Sequence, residues 1–178
     1  MPPHELLHAL WRAGEHVFIG SLLGEEGPDL AADFWNVALE APWYQSHPGI
    51  SDAKARSRTL PIFYHVDGAE VFNNTEYYFW SWSCLARGPS LDVKFPIMGI
   101  PAACMVKKDV KKDVIDKVTH FLCWCDEFLR SGVGPVVGYR GEPFHERSLR
   151  YQLCGQRLAG DWRACFAGFK ADANARKA

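Results

Sequence analysis

The segment that most constrains this chain is Leu60–Val66 (LPIFYHV), which is apolar at nearly every position. Side chains alternate between the two faces of a strand, so a strand apolar on both faces must be covered on both. This segment is therefore expected inside a sheet with layers on either side. It runs into Asp67-Gly68, a turn-rich Asn73-Asn74 pair follows, and Thr75–Ser83 then reads as an aromatic strand. Further strands are predicted over Glu70–Phe72, Val93–Ile100, Leu149–Leu153 and Trp162–Phe169.

Helical patterns lie on both sides of the strands. Pro3 precedes Leu6, Leu7, Leu10 and Trp11, with Gly14 as the stop. A loop containing Gly20, Gly24 and Gly27 is expected next. Pro28 then opens a stripe of Leu30, Ala31, Phe34, Trp35, Ala38 and Leu39. The clearest helix is Val110–Leu129, where Val114, Val118, Phe121, Leu122, Cys125, Phe128 and Leu129 recur at spacings of three and four. The fold class is therefore α/β. The polar segment Ser51–Arg58 divides a helical N-terminal region (1–58) from a β-rich region (59–178).

Composition limits the possible functions. With 48% hydrophobic and 23% charged residues the chain is globular, and its 7 Trp and 11 Phe suit a large aromatic core or an interface. No apolar run is long enough to span a bilayer, so no membrane partner is expected. The opening MPPHELLHALWRAGEH lacks the features of a secretion signal, which predicts an intracellular setting. Net charge is −1. It is unevenly spread: residues 1–53 carry eight acids against Arg12 alone, and residues 130–178 carry nine basic residues against four acids. The six cysteines sit mostly among apolar neighbours, as reduced core thiols do. Cys123 and Cys125 point apart around a helix, which disfavours a shared zinc ion.

Asp67, with Gly68 and Glu70 beside it, is the first candidate site residue. A carboxylate at the end of a rigid central strand can ligate Mg²⁺, although Asp-Gly is equally a hairpin turn. His65 shares the face of Asp67 and is read as a metal ligand, an acid–base partner or a core histidine. Asp172 follows the last strand as Asp67 follows the first, and two such carboxylates could share a divalent ion. Asp161 competes with it for that role. The run Tyr77–Trp82 could stack nucleic-acid bases, or it could be core.

Leu60-Pro61, Asp67-Gly68, Tyr78–Trp82, Phe95-Pro96 to Pro101, the long helix with its following Gly, and Phe169-Lys170-Ala171-Asp172 together resemble the catalytic core of eukaryotic DDE transposases. The resemblance is to the CACTA (En/Spm) and Plavaka-like types and covers 60–178. It implies an RNase H-like fold, Asp67 and Asp172 as catalytic Mg²⁺ ligands, DNA as partner and a nuclear location. The third acid of such cores has no counterpart in this sequence. The resemblance therefore implies an amino-terminal portion, not expected to act alone. A second reading is a small non-catalytic interaction module, prone to self-association through its aromatics. A third is a thiol or zinc enzyme built on Cys123 and Cys125.

Overall fold

A computed structural model describes residues 1–24, 27–45, 47, 52–70, 75–84, 93–105 and 108–170. Helix α1 (Pro3–Arg12) begins with proline in its first turn, where the missing N–H costs nothing, and carries Glu5 early and Arg12 late, both favourable to the helix dipole. Gly14, at φ 123°, separates it from α2 (Glu15–Leu22). A glycine loop is expected over part of this stretch, and the structure corrects it. Phe18 and Leu22, one helical turn apart, are both fully buried. Their burial outweighs the penalty for Gly20 in a helix, about 1 kcal/mol. Helix α3 (Asp29–Ala38) and the short α4 (Ala53–Ser57) follow, the latter capped by the Asp52 side chain, which accepts from Ala55 N at 2.8 Å.

Three strands come next, β1 (Thr59–Glu70), β2 (Glu76–Cys84) and β3 (Phe95–Pro101), and then the 24-residue helix α5 (Lys108–Ser131). A short α6 (Leu149–Gln152) precedes β4 (Arg163–Lys170). The segment around α6 is predicted as a strand, and it is helical instead. Ser148 Oγ accepts from Tyr151 N at 3.1 Å and caps a turn that a strand could not form.

The sheet order is β3-β2-β1-β4. β1 pairs antiparallel with β2, β2 antiparallel with β3, and β1 parallel with β4. The α5 connection carries the chain across the sheet from β3 at one edge to β4 at the other. β1 is thus interior, as its two-faced apolar character requires. Leu60, Ile62 and Tyr64 point to one side, into a cluster with Trp80, Trp82, Ile97 and the α5 residues Val118, Leu122 and Leu129. Phe63, Cys165 and Ala167 point to the other side, against Trp35 and Phe34 of α3. Trp35 Nε1 also donates to Thr59 O at 2.7 Å, which ties α3 to the start of β1. Leu7, Phe18, Leu22 and Leu23, from the first two helices and the residue after them, belong to the same buried cluster as the strands and α5.

Asp67-Gly68 is not a turn. β1 continues through both residues, with Asp67 opposite Phe79 and Gly68 opposite Tyr78, as far as Glu70 opposite Glu76. The β-forming aromatics of β2 keep the ladder going past the glycine. Residues 71 and 72 of the Glu70–Phe72 prediction lie outside the described residues, as does Asn73-Asn74.

Candidate functional site

The first place to consider is the far end of β1. Asp67 is exposed there, on the same face as His65, as the period of two requires. His65 is buried, and its Nε2 shares a 2.7 Å hydrogen bond with Ser83 Oγ. That contact matches a hydrogen-bonded histidine within the sheet. The parallel ladder of β1 and β4 is described as far as His65 opposite Lys170. Asp67 and Asp172 each stand two residues further along the sequence from that pair. Asp172 itself lies outside the described residues.

Asp161 sits elsewhere. It is the exposed residue of a turn closed by Trp162 N donating to Ala159 O at 2.9 Å, just before β4 begins opposite Thr59. Asp67 is eight residues further along β1 than Thr59, which is roughly 25 Å at strand rise. Asp161 and Asp67 therefore mark opposite ends of the sheet. Among the described residues, no group of three or more His, Cys, Asp or Glu side chains is placed to hold a metal ion. Cys123 is exposed and Cys125 buried, on different sides of α5, and burial pushes the Cys125 thiol up and away from the reactive thiolate. Tyr77 and Phe79 stack on each other at 6.0 Å, while Trp80 and Trp82 are buried. The aromatic run is thus divided between surface and core.

A second place was not singled out in the sequence. Asp126, on α5, faces the sheet, and Tyr64 OH of β1 donates to its Oδ1 at 2.6 Å. Burial pushes the Asp126 carboxyl up to about 6, against the opposing pull of the Tyr64 hydrogen bond and Arg130. Around it lies a depression of about 350 Å³ lined by His47, Cys123, Arg130, Cys165 and Phe166. His47 Nε2 lies 3.2 Å from Phe166 O, and Tyr44 OH donates to Ala167 O, so both side chains reach the β4 backbone. Burial lowers the His47 pKa and raises the Cys165 thiol to about 12. The arrangement is a half-buried carboxyl able to exchange a proton near neutral pH, with the buried Cys165 thiol held inert and the exposed Cys123 thiol beside it. One signal was legible: Asp126 follows Leu122 by four and precedes Leu129 by three, which places a lone carboxylate on the buried stripe. No protein-family model, no curated protein and no solved structure matches this chain.

Proposed function

We propose that the chain is an RNase H-like module related to the cores of metal-dependent DNA strand transferases. In this reading it binds a divalent ion weakly through Asp67 and Asp172 and does not cleave DNA by itself. The observation that carries the reading is the order and direction of the strands. Three antiparallel strands, a long helix and a fourth strand parallel to the first form the succession expected of an RNase H-like core. Asp67 supports it as well, being an exposed carboxylate on the interior strand, two residues beyond the last described pair of the parallel ladder, His65 and Lys170. DNA is the partner this reading implies, and the nucleus the compartment.

Two carboxylates supply only part of the octahedral oxygen shell of Mg²⁺, and water fills the rest. Binding of about millimolar strength follows. Ion at ten times its Kd then stabilises the fold by about 1.4 kcal/mol. For a chain of this size that is a rise in Tm of roughly 3–5 °C. Thermal unfolding with Mg²⁺ or Mn²⁺ checks this. The parent protein gains that rise, and Asp67→Asn and Asp172→Asn each lose it while keeping the fold.

A specific observation favours the interaction-module reading as the alternative. Val66 and Phe169, 39% and 61% exposed, stand on one face of the sheet near the last described pairs of β1 and β4. If neither ion moves the Tm, or if Asp67→Asn responds as the parent does, the ion site is refuted and that alternative replaces it.

A further inference from the structure

A groove of about 650 Å³ runs between α1 and the segment that begins at α6, a size typical of small-molecule sites. Trp11, in its wall, rests on the backbone of Gly160, just before β4. A Cβ at Gly160 would fall 2.9 Å from the indole Cζ2, so only glycine lets the ring sit there. Phe18 meets the same indole edge-on at 5.4 Å. The ring is therefore a fixed wall. Leu149 and Leu153 supply further apolar surface.

The charge of the lining is one-sided. Arg12, Arg150 and Arg157 all border the groove, with Glu5 as the one carboxylate among its lining residues. Glu5 is engaged: Arg150 Nε lies 2.6 Å from its Oε1 and joins α6 to α1. Among the described residues, neither Arg12 nor Arg157 forms an ion pair. The positive field reaches inward as well, because Arg150, after the larger effect of burial, helps hold the His4 pKa down to about 4. His8 Nδ1 donates to Leu158 O at 2.8 Å and ties α1 to the chain beyond α6. The groove is thus held open by an ion pair and a hydrogen bond, with two guanidinium groups in excess and an immobile indole.

We propose that this groove binds a small organic anion, its phosphate or carboxylate taken by Arg12 and Arg157 and its flat apolar body lying against Trp11, Leu149 and Leu153. Guanidinium groups suit both kinds of anion through paired N–H donors, and an aromatic body gains by contact with the indole. The inference does not rest on the ion site at Asp67.

Isothermal titration calorimetry with phenyl phosphate, benzoate, inorganic phosphate and phenol tests it. At least one aromatic anion binds ten or more times tighter than either inorganic phosphate or phenol. Preference for phenyl phosphate identifies a phosphate ligand, and preference for benzoate a carboxylate. Arg12→Gln and Arg157→Gln, both at exposed positions, each weaken that binding about tenfold at unchanged Tm. Leu149→Glu, at an exposed position on the lining, weakens it by repulsion. The proposal is overturned if neither aromatic anion binds at millimolar concentration, if inorganic phosphate or phenol binds as tightly, or if the Arg12→Gln/Arg157→Gln double variant binds like the parent.

Discussion

Asp126, half-buried, and His4, buried, are titratable groups with opposite effects on stability across one pH range. The carboxyl of Asp126 is raised by burial to about 6. Between its ordinary value near 4 and that value the folded state holds the extra proton, so stability falls as pH rises. His4, packed edge-on against Trp124 at 5.1 Å, is lowered to about 4 by burial and then by Arg150. Between about 4 and 6.5 the unfolded chain holds the extra proton, so stability rises with pH. Each contribution is at most about 3 kcal/mol, and the two largely offset each other. Asp126→Asn keeps an acceptor for the Tyr64 hydroxyl but removes the first contribution. Its Tm is expected to climb more steeply from pH 4 to 6.5 than that of the parent protein, and to exceed the parent at pH 7. His4→Phe is expected to show the reverse slope. Parallel Tm–pH profiles for all three proteins would contradict this assignment.

Helix α5 is the element on which the layered structure depends most. The exposed Asp113–Lys117 pair, at 2.7 Å, contributes only a few tenths of a kcal/mol. Its hold on the sheet comes from the buried stripe, in which Val118 is 6% exposed. Val118→Asp places an unpaired carboxylate there and is expected to cost roughly 3–5 kcal/mol, lowering Tm by about 10 °C. Lys117→Ala, one position away on the exposed side, changes Tm by no more than a degree or two. An unchanged melting curve for Val118→Asp would mean that this stripe does not face the sheet. The helix was legible because its period of 3.6 persists for five turns. The strand expected around Leu149–Leu153 was misread because four or five residues are too few for a period to separate strand from helix, and the capping bond of Ser148 decided the outcome.

At the scale of the molecule, the N-terminal helices are structural partners of the sheet. Leu7, Phe18, Leu22 and Leu23 occupy one buried cluster with Leu60, Trp82, Leu122 and Trp162. Removal of residues 1–24 strips that cluster of one wall and exposes large aromatic surfaces. The truncated chain is expected to lose cooperative unfolding and to aggregate, with a flattened near-ultraviolet circular dichroism spectrum. A sharp two-state transition in the truncated chain would show instead that residues 25–178 fold alone.

The α/β class, the interior position of β1 and the extent of α5 were determined by local pattern, because burial imposes a period of two on strands and 3.6 on helices. Asp67 and His65 on one face followed from the same rule. Where β1 ends did not, since Asp-Gly favours a turn locally and only pairing with Tyr78 and Phe79 carries the strand past it. Helix α2 likewise depends on Phe18 and Leu22 finding a core supplied by distant strands. The contact of Asp126 with Tyr64, 62 positions apart, and the groove between α1 and α6 exist only once the chain is folded. Sequence spacing reports which side of an element a residue occupies. Which residues of other elements meet it there is decided by how the layers pack.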